Sequence, residues 1–533
     1  MKRIFENTKI RYMIYFIIII ELTAFIYMNT FSKPFIFDSN KIITKYSIRN
    51  FKNFTNSIET WLNINNRTFA KLTFAFNYNI HKFQVTGYQL VNVIIHIING
   101  ILVFFLSKII FRKIGLNSRK RELSAFFSAL IFITHPIQTQ AVTYIVQRMS
   151  SLAAMFYFIT LILYFKIRDY TINQNYKKTI PFVFLSLISF CLGLMSKQTA
   201  ATIPLSIILI ELLFIRNRKG KICRKYVISL ISVVLLGLIA IGVFKGLPRQ
   251  TEEISRIEYL LTQSRVLVKY LQLELLPISQ TLDYHFKISK SLSFIEILAT
   301  VFLFVLVFIG LALRKKHKIV SFSIFWFFIT LSIESSIFPI ADVIVEHRLY
   351  LPMFGFAVMA VYLLHLFIKN RKILLIVLIS YCLLLGTATF KRNFVWRNRI
   401  TFWEDAVKKS PNIDRPNYNL ANAYKQNHNL EKAIEYYIKT ININPNYRES
   451  YNNLGSTFFL KKQYGKAEKF YKLGLEVDST YSKILINLGK LKAVQNKYKE
   501  AIEYFSKGKN IKNSDQIQKF IKKCETYLNN KKK

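Results

Sequence analysis

The sequence predicts an all-α chain in two parts: a polytopic membrane domain of about eleven transmembrane helices, then an α-solenoid of stacked helix pairs. Three observations predict it. Apolar residues make up 52% of the 533, and they gather in blocks of roughly 17–25 residues, enough to cross a hydrocarbon core of about 30 Å. The loops between blocks alternate between Lys/Arg-rich and Lys/Arg-poor. Beyond residue 392 the blocks stop, and a repeat of period 34 takes over. A soluble enzyme and a disordered chain are both excluded by the apolar blocks.

The first block, Tyr12 to Met28, follows Lys2, Arg3, Lys9 and Arg11. It is too long for a signal peptide, and Asn29 to Lys33 offers no small-residue cleavage site. A retained first helix with a cytoplasmic start is expected. Further spans are expected at 88–111, 122–136, 149–166, 180–196, 199–215, 227–245, 294–313, 319–338, 350–368 and 373–390. The short basic loops 112–121, 166–178, 216–225, 314–318 and 369–372 then share the side of the N-terminus, as the positive-inside rule requires. The segments 30–87, 135–148, 246–293 and 338–349, and everything from Lys391 onward, face away from the cytoplasm. The segment 259–277 contains Arg265, Lys269 and Glu274 and is expected to be interfacial or re-entrant rather than crossing. The expected location is the plasma (inner) membrane, multi-pass.

The formal net charge is +46, from 75 Lys+Arg and 29 Asp+Glu. Its densest clusters, Arg119-Lys120-Arg121, Arg216 to Lys225 and Arg314-Lys315-Lys316, are inter-span loops where topology-setting charge belongs. No zinc-finger or RNA-recognition pattern accompanies them, so nucleic acid is not an expected partner. Four cysteines without a CxxC suggest neither zinc nor a redox pair. No phosphate-binding loop or dinucleotide fingerprint is present, which argues against an ATP-driven pump.

After Arg392, Leu420-Ala421, Leu454-Gly455 and Leu488-Gly489 recur every 34 residues. Ala433, Ala467 and Ala501 share the period, as do Tyr437, Tyr471 and Phe505. This is the tetratricopeptide pattern, with small residues where paired helices touch and rings filling the gaps between them. Trp403, Ala406 and Pro411 stand one period before Tyr437, Thr440 and Pro445, so 399–410 reads as half a repeat. The tail 514–529 reads as a capping helix. The expected domains are therefore 1–392, membrane-embedded, and 393–533, comprising a half repeat, three repeats and a cap. Such an array offers a concave groove for an extended partner; the plainer alternative is a stabilising appendage.

Polar residues at the outer ends of the spans are where chemistry is expected. Asp38 follows Phe35-Ile36-Phe37 just beyond the first span, placed to act as a general base on an incoming hydroxyl; its plainer role is a cap or turn residue beside Ser39 and Asn40. His135 and Gln138 close the third span, and Arg148 opens the fourth, where a guanidinium could hold a phosphate bidentately. A histidine bonded to backbone is the plainer reading of His135. Lys197 lies in the short turn between the fifth and sixth spans. Asp342, Glu346, His347, Arg348 and Tyr350 precede the tenth, and charge of this density beside a membrane is costly unless it lines a polar cavity. Asp283 in the large outer loop is a further candidate. His96 and Asn99 inside the second span are expected to make interhelical hydrogen bonds instead.

With those residues in view, the chain resembles the transmembrane and tetratricopeptide-repeat family of protein O-mannosyltransferases, within the multi-spanning class C glycosyltransferases. The matching stretches are Phe35 to Asn40, Leu72 to Ile98, His135 to Arg148 (HPIQTQAVTYIVQR), Ser196-Lys197, Leu260 to Tyr284 and Ile340 to Pro352 (IADVIVEHRLYLP). The resemblance implies a glycosyltransferase that moves a sugar from a polyprenyl-phosphate donor to an extracytoplasmic acceptor, typically Ser or Thr of a protein held by the groove. It implies Asp38 as the catalytic acid-base residue, with Arg148, Lys197, His347 and Arg348 around the donor phosphate. Relatives carry an acidic pair in the first outer loop and often an acid where this chain has Gln140; here Ser39 follows Asp38. No cofactor is expected and no metal ligands are assigned, a divalent ion being left open because hard oxygen ligands are few. A polymerase or ligase of lipid-linked polysaccharide, and a non-enzymatic repeat scaffold of the envelope, are the alternatives.

Overall fold

The computed structural model describes residues 8–31, 33–36, 38–44, 46–49, 67–215, 254–284, 286–336, 338–511 and 515–530, and every regular element among them is helical. The chain divides into two compact units. One comprises Met1–Leu282 with Phe286–Arg397, the other Asp283–His285 with Asn398–Lys533.

In the first unit the helices are α1 (Thr8–Tyr27), two short pieces α2 (Asp38–Ile43) and α3 (Tyr46–Arg49), α4 (Thr68–His81), α5 (Val85–Lys113), α6 (Ser118–Thr134), the short α7 (Thr139–Thr143), α8 (Arg148–Ile172), α9 (Tyr176–Leu194) and α10 (Ile203–Leu213). After the segment outside the described residues come α11 (Arg256–Leu275), α12 (Phe294–Leu313), α13 (Lys318–Leu331), α14 (Met353–Phe367) and α15 (Arg371–Val395). Every expected span falls on one of these except 227–245, which lies outside the described residues. Six helical stretches are long and apolar enough to cross a bilayer: Thr8–Thr30, Val85–Lys113, Ile145–Ile172, Tyr176–Leu194, Phe294–Leu313 and Arg371–Val395. The chain is a multi-pass membrane protein.

The remaining expected spans are shorter helices, for local reasons. α13 stops at Leu331, short of the expected 338, where Ser332, Glu334, Ser335 and Ser336 interrupt the apolar run. α14 begins only after Pro352 at its N-cap, because a proline has no backbone N–H to continue the preceding turn. α11 is a capped helix, Ser255 and Glu258 satisfying its first turn reciprocally. One of its charges is paired sideways, Arg265 with Glu296 at 3.0 Å.

Burial sorts the helices into layers. On α12, Phe294, Phe304 and Phe308 are each 70% exposed or more, and α9 and α15 present similar apolar faces through Ile180, Phe184, Leu383 and Leu384. Such faces suit lipid. α5 and α8 are more than half buried along their apolar windows and carry the polar side chains. His96 and Asn99 of α5 both meet the Tyr350 hydroxyl, at 2.8 and 2.9 Å, the interhelical role expected of them. Charges at the helix ends are paired, Arg11 with Glu122 and Asp169 with both Arg112 and Lys113, each at 2.8 Å.

The second unit runs α16 (Arg399–Lys409), α17 (Asp414–Gln426), α18 (Leu430–Ile443), α19 (Arg448–Leu460), α20 (Tyr464–Val477), α21 (Ser482–Val494), α22 (Tyr498–Ile511) and α23 (Asp515–Asn530). Helix pairs fall where the period put them. Leu420, Leu454 and Leu488 are fully buried, as are Ala433, Ala467 and Ala501. Gly455 and Gly489 have no room for a side chain, since a Cβ would lie 2.6 Å from the rings of Tyr471 and Phe505 respectively. The cap α23 closes the last repeat with Ile517 and Cys524, and Phe520 stacks on Phe505 with ring centres 5.4 Å apart. α15 continues past residue 392 to Val395, so the compact units part at Arg397 rather than at the expected 392.

Candidate active site

Asp38 opens α2, and its backbone N–H donates to the Tyr144 hydroxyl at 3.1 Å. That hydroxyl in turn donates to the Asp38 carboxylate. Burial, and then the facing carboxylate, push the Tyr144 phenol well above its ordinary pKa, so it remains a neutral donor. A small cleft opens here, with Lys33, Ile36, Ser39, Gln89, Tyr144 and Trp396 in its walls. The Lys33 ammonium donates to the Asn393 carbonyl, and burial lowers its pKa to about 7.

One turn of α7 before Tyr144 stands Gln140. Its Oε1 accepts from the His347 backbone N–H at 2.6 Å and faces His347 Nδ1 at 3.0 Å. An amide oxygen only accepts, so Nδ1 carries the proton and Nε2 is left as an acceptor. Burial holds the His347 pKa well below the ordinary value, and the Lys197, Arg348 and Arg67 cations reinforce the effect. His347 is therefore neutral at physiological pH.

The next residue, Arg348, lies on the short 3-10 turn Glu346–Tyr350 and donates to the Val343 and Asp342 carbonyls at 2.9 and 2.7 Å. Burial would lower its pKa, but Tyr270, Glu334 and Tyr259 together raise it above the ordinary value. Glu334 also pairs with Lys197 at 2.9 Å, and both side chains are buried. Lys197 donates to Ser150 at 3.1 Å, and Met149, the residue before it, touches the Arg67 guanidinium at 3.4 Å. Asp38 thus pairs with Tyr144, Gln140 with His347, and Lys197 with Glu334 and Ser150, with Arg348 near enough to Glu334 for their charges to act on each other.

The other expected residues make different contacts. Arg148 is fully buried and spends its guanidinium on protein acceptors: Asn92 at 2.7 Å, the Tyr88 carbonyl at 2.9 Å and the Thr73 carbonyl at 3.3 Å, with the Phe74 ring 4.5 Å away. This clamps α4, α5 and α8 together. His135 accepts from the Ile137 N–H at 3.2 Å and bonds the Glu274 carbonyl at 3.1 Å, its plainer expected role. Gln138 is buried with neither amide atom partnered, as is the Thr139 hydroxyl, among the described residues; orphaned polar atoms of this kind commonly face a ligand or water. Glu346 accepts from Gln280 at 3.2 Å, and Tyr350 is a core residue held by His96 and Asn99. Asp283 belongs to the repeat unit, where Arg415 grips it bidentately at 2.5 and 2.8 Å. No group of three or more His, Cys, Asp or Glu able to hold a metal occurs among the described residues.

The sequence reading passed over Glu334, Tyr144, Tyr259, Tyr270 and Arg67. Glu334 had a readable signal, being an acid at the end of an apolar block, where an unpartnered charge is expensive. The tyrosines had none, since 30 Tyr occur in the chain.

Fold and site together define a multi-pass helical membrane protein whose buried polar cluster lies in the helical unit, with a C-terminal tetratricopeptide array. The array matches the tetratricopeptide repeat family over residues 413–480. Among curated proteins, the chain is 26% identical to protein O-mannosyl-transferase F38B6.6 of Caenorhabditis elegans over 77% of its own length and 60% of that protein. It is 25% identical to human protein O-mannosyl-transferase TMTC1 over 69% of its length and 47% of that protein. Among solved structures, a crystal structure of MamA protein aligns with 24% of this chain and 77% of its own, at 19% identity and a TM-score of 0.22. The chain is similar to these protein O-mannosyl-transferases, and it spans about half to three-fifths of the length of those two.

Proposed function

We propose that the chain is a membrane glycosyltransferase that moves a mannose-type hexose from a polyprenyl-phosphate donor onto Ser or Thr hydroxyls of proteins, outside the cytoplasm. The observation that supports this most is that Tyr144 feels the charges of both Asp38 and Asp342, whose carbonyl the buried Arg348 grips, with the buried Lys197–Glu334 pair close to Arg348. The Asp38 carboxylate suits deprotonation of an alcohol, and the two cations suit a departing phosphate.

In the proposed reaction the acceptor oxygen bonds to the anomeric carbon while the bond from that carbon to the phosphate oxygen breaks. The electron pair leaves with the phosphate, and the hydroxyl proton passes to Asp38. Tyr144 holds the Asp38 carboxylate in place. Lys197 and Arg348 stabilise the charge that develops on the phosphate, a contribution worth about 10²–10³ in rate for a single preorganised donor. His347, being neutral, adds no charge and orients Arg348 through Gln140. Arg148 positions the helices rather than the phosphate. Glu334 pairs directly with Lys197 and offsets the repulsion between that cation and Arg348.

The proposed topology places the N-terminus in the cytoplasm and the repeats outside, in the plasma or inner membrane, where the array receives the acceptor polypeptide. No cofactor enters this scheme. Purified chain, supplied with labelled polyprenyl-phosphate hexose and a Ser/Thr peptide, should yield a peptide heavier by one hexose. Label released only to water, or transferred only to a glycan, would overturn the assignment of a protein acceptor.

A further inference from the structure

Asn393 stands in the last turn of α15 and is fully buried. An amide there is unfavourable on two counts. Asparagine competes with helical hydrogen bonding, and a buried amide costs free energy unless it is bonded. Here the side-chain nitrogen, the side-chain oxygen and the backbone carbonyl are all bonded. Nδ2 donates to the Ile26 carbonyl of α1 at 3.1 Å, and Oδ1 accepts from the Thr143 hydroxyl at 2.7 Å. The carbonyl, one of those a helix leaves unmet at its C-terminal end, accepts from the Trp396 N–H at 3.1 Å and from the Lys33 ammonium. A cation at that end also suits the helix dipole.

The identity of these partners matters more than their number. Thr143 is the residue immediately before Tyr144, and Lys33 lies five residues before Asp38. Tyr144 in turn bonds Asp38 through both backbone and carboxylate. One residue of α15 therefore grips both stretches of chain that meet at the acid. Trp396, three residues further on, lays its ring beside that of Tyr144 with centres 5.6 Å apart. The end of α15 thus touches the phenol as well as the residue before it.

We propose that Asn393 is a positioning residue for the Asp38–Tyr144 pair, a reading that rests on the transferase function above. It acts through Thr143 and Lys33 and touches no substrate. A general base must lie within hydrogen-bond reach of the hydroxyl it serves, and a displacement of about 1 Å can cost about 10²-fold in rate. Asp38 sits on α2, a helix of six residues, too short to hold its own shape. Its orientation comes from what grips the chain on either side. Asn393 supplies that grip, and its bond to Ile26 ties the whole arrangement to α1. Loss of the Thr143 bond loosens the base and leaves the groups that face the phosphate untouched.

The test pairs turnover with hydrogen exchange, on the full chain in detergent. Thr143→Val keeps the shape and removes the hydroxyl. Turnover onto a Ser/Thr peptide should fall by about tenfold or more, with affinity for polyprenyl-phosphate hexose unchanged. Amide exchange in the proteolytic fragment covering Asp38–Ile43 should quicken by about fivefold or more, as expected for one lost hydrogen bond. Thr143→Ser restores the donor and should return both readouts close to those of the unaltered chain. Asn393→Leu, which breaks both side-chain bonds, should exceed Thr143→Val in both; where it fails to fold, Thr143→Val decides. Ser189→Ala removes a buried bond of similar kind, from α9 to the Phe156 carbonyl of α8 at 3.0 Å, and should lower the melting temperature without slowing turnover. Turnover or exchange in Thr143→Val equal to that of the unaltered chain would overturn the proposal, as would an equal loss of turnover in Ser189→Ala. Faster exchange at Asp38 in a chain that transfers no sugar would support the clamp and refute the transferase reading.

Discussion

The two units handle charge in opposite ways. In the membrane unit, Lys197–Glu334 and Arg168–Glu211 have side chains no more than 6% exposed. In the repeat array, Lys439–Glu435 and Lys507–Glu503 have side chains about half exposed, and they join positions one turn apart on a single helix. Exposed pairs of that kind add little to stability. Buried pairs carry a desolvation penalty that a well-packed apolar replacement would avoid, so their retention points to a use other than holding the fold. Of the two buried pairs, Lys197–Glu334 sits close enough to His347 and Arg348 to shift their pKa values, whereas Arg168–Glu211 joins α8 to α10. The array gains its stability from shape instead, with rings filling the places where glycines leave room.

The sharpest way to break this contrast is to remove one half of the buried pair. Lys197→Ala should destabilise the folded chain by about 3–5 kcal/mol, since Glu334 is then left buried without its partner. The double change Lys197→Met/Glu334→Leu should recover most of that stability and none of the transferase activity. Thermal denaturation in detergent, read beside turnover, checks both halves. Recovery of activity in the double variant would make the pair merely structural.

In the array the corresponding change is steric. Gly455→Val should destabilise by about 1–3 kcal/mol, because its side chain would enter the Tyr471 ring. Peptide binding should fall with folding, while donor cleavage to water persists. A well-folded Gly455→Val array would contradict the close packing at this helix crossing.

A smaller effect sharpens the account of His347. Its folded pKa lies below the unfolded value of about 6.5. As pH falls below 6.5 the unfolded chain takes up a proton that the folded chain refuses, so stability decreases toward acid and is restored above 6.5. His347→Gln should flatten that part of the stability–pH curve, and an unchanged curve would mean the imidazole titrates normally.

The smallest effect belongs to the exposed pairs. Glu435→Gln should change array stability by no more than about 0.5 kcal/mol, measured by thermal melting.

How much of this was legible in the sequence differs between the units for the same reason. Repeat geometry is local, so Leu454, Gly455 and Ala467 announce themselves by period alone. The site is assembled from segments far apart in the chain, and only sidedness could group Asp38, Lys197, His347 and Arg348 before the fold was known. Sidedness could not tell that Arg148 turns inward to Asn92 and Tyr88, because a guanidinium at a span's outer end reads identically whether it meets a phosphate or a carbonyl. Nor could it tell that Asp283 pairs with Arg415, a partner beyond the last span. The helix ends at Leu331 and Pro352 were misplaced because apolar runs extend past the residues that actually stop the helix.

The central claim is that Asp38 acts on the acceptor in the transition state while Lys197 and Arg348 serve the phosphate. A steady-state assay of Asp38→Asn, with purified chain, labelled polyprenyl-phosphate hexose and acceptor peptide, tests it most directly. Turnover should fall by at least about 10²-fold, with donor affinity nearly unchanged. Turnover equal to that of the unaltered chain would remove Asp38 from the reaction, and with it the proposed site.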